Sequence, residues 1–208
     1  MYSKNQLMFQ WLSPSFPTGS FNFSQGLEYA VSQSMVKNEA DLVVWIENNL
    51  ENGFLRNDAI FLKLAYETST DKCLDNLTEL CLAFSCSALK LNEQVMTGDN
   101  FAKASDTQLG LPYPIALGTA AKKHKLKIEE LVPLFLQSNI SNLIAAAQRL
   151  LPLGHKRSTN ILKNLFEKIN EISQKVLVSG DKDLFSSCYL TDTCTLLHEE
   201  FQGKVFKS

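Results

Sequence analysis

Apolar residues recur at intervals of three and four along most of this chain, which is the spacing of one face of an α-helix. The repeat is clearest over residues 74–95, 132–151 and 162–176. A shorter repeat at 43–50 follows Asn38, a residue that favours the N-cap of a helix. The first of these segments predicts one long helix with a buried seam formed by Leu74, Leu77, Cys81, Phe84, Ala88, Leu91 and Val95.

No segment shows the strict apolar–polar alternation that predicts a β-strand. Gly110, Pro112 and Pro114 interrupt the helical pattern, and Ser158 is the expected cap of a late helix over 162–176. We therefore predict an all-α, single-domain bundle of about nine or ten helices spanning residues 1–208. The N-terminal segment 1–12 and the tail 202–208 are candidates for flexibility.

Composition and net charge argue against several classes of function. The chain has 208 residues, of which 45% are hydrophobic, and a formal net charge of -2. This near-neutral charge gives no electrostatic reason to expect nucleic-acid binding. No apolar run approaches the roughly 20 residues of a membrane span, and residues 1–12 lack the features of a signal peptide. We expect a cytoplasmic protein that binds neither nucleic acid nor membrane.

Motifs for enzymatic chemistry are missing from the sequence. It contains no GxxxxGK[ST] phosphate loop, no GxGxxG, no HExxH and no GxSxG. His124, His155 and His198 lie in separate predicted elements. The residues alone therefore point to an all-α binding module, and they assign no catalytic residue, bound cofactor or metal.

Two alternatives stay open at this stage. His198 and Glu199 could act in a pocket between helices, which would make the protein an all-α small-molecule enzyme. Cys194 lies four residues before His198, so these two side chains could hold a metal ion. The five cysteines form no CxxC pair, which argues against a disulfide framework or a zinc finger.

The stretch SPSFPTGSFNFSQGLEYAV, residues 13–31, combines a loop with the start of a helix. Pro14, Pro17 and Gly19 keep the first part out of regular structure, and Asn22 or Ser24 is the expected N-cap. The loop carries three phenylalanines, which either pack on the protein's own core or form a partner surface: Phe16, Phe21 and Phe23.

This stretch resembles the N-terminal signature of the UreF family of urease accessory proteins, roughly S-P-x-x-P-x-G-x-[FY]-x-x-S-x-G-L-E. The positions that match without a gap are Ser13, Pro14, Pro17, Gly19, Phe21, Ser24, Gly26, Leu27 and Glu28. Phe23 stands where a tyrosine is common in that family.

Two later segments carry the same resemblance. SNLIAAAQRLLPLG, residues 141–154, is similar to a family block that contains Arg149. An arginine there also interacts favourably with the end of its helix. Near the end of the chain, the family's histidine–glutamate pair and its closing R-L-F-R-S are matched by His198, Glu199, Lys204, Phe206, Lys207 and Ser208, with lysines in place of arginines.

The resemblance implies a non-catalytic scaffold for nickel insertion into apo-urease. The alternative of a metallochaperone that itself holds nickel through His198 or Cys194 stays open. Family members bridge the accessory protein UreD, also called UreH, and the GTPase UreG, and they form all-helical homodimers. The GTP site then belongs to UreG. The residues that the resemblance makes candidates for partner binding are Pro17, Gly19, Phe21, Phe23, Ser24, Glu28, Arg149, His198, Glu199, Lys204, Phe206, Lys207 and Ser208.

Overall fold

A computed structural model describes residues 3–207 and contains helices and loops but no strand in that range. Residues 1 and 2 of the predicted N-terminal segment, and the candidate site residue Ser208, lie outside the described residues. The predicted all-α bundle is confirmed. Its helices are α1 Lys4–Leu12, α2 Leu27–Ser32, α3 Glu39–Asn52, α4 Phe54–Glu67, α5 Asp71–Ala83, α6 Ala88–Ser105, α7 Tyr113–Lys123, α8 Ile128–Leu150, α9 His155–Asn164, α10 Phe166–Val178 and α11 Tyr189–Leu197. Short 3₁₀ turns cover Ser20–Asn22, Asp181–Asp183 and His198–Glu200.

Helix α4 lies at the centre of the bundle. It is buried on most of its circumference, with Leu55, Ile60 and Leu62 almost fully shielded, as expected of a helix surrounded by others. Helices α3, α7, α8 and α10 pack around it. Helix α7 comes close because Gly118 has no side chain, and a Cβ atom there would collide with the carbonyl oxygen of Leu62.

The long helix predicted over 74–95 is two helices. Helix α5 ends at Ala83, and α6 begins at Ala88 after Ser87, whose hydroxyl accepts a hydrogen bond from the Lys90 N–H at 3.0 Å. Serine is a strong N-cap, and that local bond competes with continuation of the helix. The predicted seam is therefore wrong in its second half, where Leu91 is 43% exposed and Val95 is 37% exposed.

The late helix is also divided. Helix α9 begins at His155, not after Ser158, whose hydroxyl donates back to the Gly154 carbonyl at 3.2 Å. Helix α9 ends at Asn164, and α10 starts at Phe166 after a single connecting residue, Leu165. The periodicity continues across this junction because both helices turn apolar residues toward the same core.

No helix within residues 3–207 combines the length and the apolar character needed to cross a bilayer.

Candidate functional site

The signature loop is fixed to the rest of the fold at two points. The side-chain amide of Asn100 donates to the carbonyl of Thr18 at 3.0 Å, next to Gly19, which has a left-handed φ of 81°. Farther along, Gly26 also has a φ of 81°, and a Cβ atom there would lie 2.7 Å from Oγ1 of Thr195. Glycine is needed at position 26 both for its backbone angle and for the close approach of α11.

Helix α2 begins at Leu27 with Gly26 as its N-cap, so neither of the predicted caps, Asn22 and Ser24, occupies the cap position. The hydroxyl of Ser24 nevertheless accepts a hydrogen bond from the Glu28 N–H at 3.3 Å. Ser24 therefore satisfies a first-turn N–H as an N-cap residue would, although it lies two residues before the actual N-cap, Gly26.

The Glu28 carboxylate is the centre of this region. It is 4% exposed, and its two oxygens accept three hydrogen bonds. The donors are Nε2 of His198 at 2.8 Å, the backbone N–H of Val205 at 2.7 Å and that of Phe206 at 3.1 Å. We call Glu28, His198 and the backbone of 205–206 the Glu28 site. Hydrogen bonds to an ionised acceptor are about twice as strong as neutral ones.

His198 is fully buried in the 3₁₀ turn after α11. Because Glu28 acts as an acceptor, Nε2 of His198 carries the hydrogen of their shared bond. Nδ1 of His198 has no hydrogen-bond partner among residues 3–207. The ring of Phe201 lies beside the imidazole at 5.9 Å between centroids, so the histidine is surrounded by protein and not presented to solvent.

The end of the chain packs onto the signature loop. Phe206 is 3% exposed, and its ring lies 4.3 Å from the guanidinium carbon of Arg149. The same guanidinium lies 5.2 Å from the ring of Phe21, so Arg149 contacts both aromatic residues. The Lys207 N–H donates to the Asn22 carbonyl at 2.7 Å. These contacts bring the two ends of the family resemblance into one place.

Arg149 interacts both with the end of its own helix and with two aromatic rings. It lies in the last turn of α8, where a positive charge interacts favourably with the helix dipole, and it also forms cation–π contacts with Phe21 and Phe206. Phe21 is 52% exposed, whereas Phe16 and Phe23 pack into the protein, the former against Phe101 at 5.7 Å. The phenylalanines of the loop therefore divide between core and surface.

The other candidate residues surround this site less closely. The Glu199 side chain accepts a hydrogen bond from the Leu89 N–H, in the first turn of α6, at 3.2 Å. Lys204 donates to the Glu199 carbonyl at 2.8 Å. Pro17 and the Lys207 side chain are exposed. Glu199 faces α6 and does not join His198 in a shared pocket.

Sequence reasoning missed a second buried polar group, which we call the Lys90 cluster: Asp58, Lys90 and Glu93 with Gln25 and Gln94. Nζ of Lys90 lies 3.5 Å from Glu93 and 3.7 Å from Asp58. The two amides complete the group, since Gln25 donates to Glu93 at 2.8 Å and Gln94 to Asp58 at 2.9 Å.

The carboxyl groups of Asp58 and Glu93 lie near a single ammonium group in this cluster. Burial raises the pKa of Asp58, and Glu93 adds to that rise while Lys90 opposes it. Burial alone would lower the pKa of Lys90, but Glu93 and Asp58 outweigh it and raise that pKa. The face of α6 that carries Lys90, Glu93, Gln94 and Thr97 has helical spacing, and this polar repeat is the signal that could have revealed the cluster.

The structure gives little support for metal or nucleophilic chemistry at the predicted positions. Burial raises the pKa of the Cys194 thiol to about 11, whereas the thiolate is the form that binds metals and attacks electrophiles. The Cys194 sulfur contacts that of Met35 at 3.8 Å, and His198 is engaged with Glu28. No group of three or more His, Cys, Asp or Glu side chains within the described range is arranged to hold a metal ion.

A family model and individual relatives were compared with this chain, and they give the same family. A sequence model of the family described as UreF matches residues 36–166. The chain is 35% identical over 208 residues to a urease accessory protein UreF of Agrobacterium fabrum, an alignment that covers 95% of this chain and 93% of the relative. A protein of the same description from Roseobacter denitrificans is 33% identical over 204 residues, covering 96% and 91%.

Proposed function

Because the chain belongs to the UreF family of urease accessory proteins, we propose that it is a urease accessory protein that acts as a non-catalytic scaffold for nickel insertion into apo-urease. The observation that carries this proposal is the similarity to proteins of that description over nearly the full chain. In this role the protein bridges UreD, also called UreH, and the GTPase UreG, and it works as a cytoplasmic homodimer.

The Glu28 site supports a scaffold role through its surface, not through its buried centre. Glu28 and His198 are shielded, but Phe21 and the side chains of Arg149 and Lys207 are exposed around them. Aromatic residues and arginines are enriched at protein interfaces, and a lysine at the rim favours an acidic partner surface. We assign this exposed surface to UreD.

The first test is size-exclusion chromatography with light scattering, on the protein alone and mixed with UreD and UreG of its host. We expect a dimer that forms a larger complex with both partners. A monomer that elutes unchanged in the presence of both would contradict the scaffold proposal.

A second test addresses the proposed UreD surface. We expect Lys207→Glu to weaken UreD binding by about tenfold, or about 1.4 kcal/mol. Lys182→Glu is the matched control, because Lys182 is also an exposed lysine and lies in a turn elsewhere on the chain. Equal UreD binding by both variants would remove the tail from the interface and leave the family assignment intact.

A further inference from the structure

A wide groove runs between α1, the first half of α8 and the start of α10, away from the Glu28 site. Its volume is about 940 Å³, at the upper end of the range for ligand pockets, and it opens to solvent. Three large apolar side chains along it are exposed: Phe9 at 77%, Leu134 at 39% and Phe166 at 41%. Contiguous exposed apolar surface of this kind is typical of an interaction site.

The charge of the groove is acidic. Among the described residues that line it, the ionisable ones are Glu129 and Glu130. Lys127, outside the lining, pairs with Glu130 at 2.8 Å. Glu129 forms no ion pair within the described part of the chain, although its charge acts on Lys127. Its carboxylate is exposed, so it can also pair with a positive group on an occupant.

The backbone of α8 is also irregular where it lines the groove. Pro133 lies inside α8 and has no N–H, so the carbonyl of Glu129, four residues earlier, lacks its usual helical donor. Glu129 and Pro133 both line the groove. Glu129 lies in the first turn of α8, where a negative charge stabilises the helix. This stabilisation accounts for the glutamate, but it does not account for Pro133 or for the exposed apolar residues.

We propose that this groove binds an amphipathic helix of a partner protein that carries an apolar stripe flanked by lysine or arginine. The apolar stripe covers Phe9, Leu134 and Phe166, as in other helix-in-groove complexes. Its basic side chains pair with the Glu129 carboxylate. The charge of the groove selects a basic helix over an acidic one.

The probe is a fluorescent synthetic peptide with leucines at i, i+3, i+4 and i+7 and lysines at the remaining positions, read by anisotropy. Its control has the same leucines with glutamates in place of the lysines. We expect the lysine peptide to bind at least about tenfold more tightly, a difference of about 1.4 kcal/mol, and to lose affinity as salt is added. Equal affinity for the two peptides, or no binding of the lysine peptide, would overturn the proposal.

Amino-acid substitutions test whether the lysine peptide binds in the groove. We expect Leu134→Asp to weaken the lysine peptide about tenfold or more and Glu129→Lys to abolish the preference between the peptides. Val178→Asp is the control, since Val178 is 85% exposed and lies outside the groove. Unchanged binding by Leu134→Asp would place the peptide elsewhere.

Light scattering tests whether a second copy of the chain covers the groove. If the protein is a dimer that Phe9→Ser converts to a monomer, a second copy occupies the groove, and the proposal is overturned.

Discussion

The carboxylate of Glu28 lies 2.8 Å from Nε2 of His198, although 170 positions separate the two residues in the sequence. The same carboxylate holds two backbone N–H groups of the tail. One side chain of the signature therefore fixes both the turn after α11 and the segment that follows it. The two ends of the chain that resemble the family are therefore in contact.

We expect Glu28→Gln to loosen the tail. Glutamine keeps the shape, but one acceptor oxygen becomes an NH₂ group that cannot accept from His198 or the tail amides. Hydrogen bonds to charged groups contribute about 1.5–3 kcal/mol, so the free energy of unfolding should fall by about 2 kcal/mol. Urea denaturation measures this fall, and hydrogen exchange should show faster exchange at Val205 and Phe206. The control is Glu200→Gln, an exposed neighbour of the site. If hydrogen exchange at Val205 and Phe206 were as slow in Glu28→Gln as in wild type, the role of Glu28 would be contradicted.

Gly26→Ala should be more harmful than Gly203→Ala. Both glycines have a positive φ, 81° and 77°, so alanine strains the backbone at both by roughly 1–2 kcal/mol. Only at position 26 would the added Cβ also press on Thr195, whereas nothing lies within 4 Å at position 203. The difference in free energy of unfolding between the variants, measured in urea, isolates the close packing of α11. Equal losses would mean that α11 moves aside without cost.

Lys90→Met should destabilise the protein strongly. It leaves the carboxyl groups of the buried Glu93 and the half-buried Asp58 without their cationic partner, and breaking a buried ion pair costs about 3–5 kcal/mol. Lys168→Met is the matched control, because Lys168 also pairs with two carboxylates but lies nearer the surface, where such pairs contribute about 1 kcal/mol or less. Thermal and urea unfolding of both variants makes the comparison. Similar losses would show that the Lys90 cluster is hydrated.

Asp58→Asn should change how stability depends on pH. The pKa of Asp58 is raised in the fold, so above the unfolded value of about 3.9 the folded protein keeps a proton that the unfolded chain has lost. The contribution of this group to stability therefore falls as pH rises from that value through the folded pKa. Asparagine removes this effect. In urea denaturation at a series of pH values from about 4 upward, we expect the stability of the variant relative to wild type to rise with pH. A relative fall would mean that Lys90 holds Asp58 ionised.

The periodic apolar pattern was sufficient to predict the helices that pack by hydrophobic burial. Helix α8 appears where Val132, Leu136 and Ile140 repeat, and α3 starts after Asn38, whose side chain accepts from the Asp41 N–H as a cap. In both places the local sequence and the tertiary packing favour the same structure.

Helix α6 shows where this reasoning fails. The pattern assigns apolar residues to the interior, yet α6 buries Lys90, Glu93 and Gln94 and exposes Leu91. Burial of these side chains is tolerated because Asp58 and Gln25 supply partners from other parts of the fold. One sequence does not show which distant residues will pair. For the same reason Glu28 and His198 could be predicted as candidates but not as neighbours.

The contact of the tail with the signature loop affects how this protein should be tagged for partner assays. An affinity tag fused after the tail begins where Lys207 bonds to Asn22, so it crowds the exposed rim around Arg149. At the other end of the described residues, α1 begins at Lys4 and lines the groove with Phe9, so a tag placed before it is expected to crowd the groove. Each fusion therefore obstructs a different surface. Comparing partner capture by the two tagged proteins separates binding at the Glu28 site from binding in the groove before any residue is mutated.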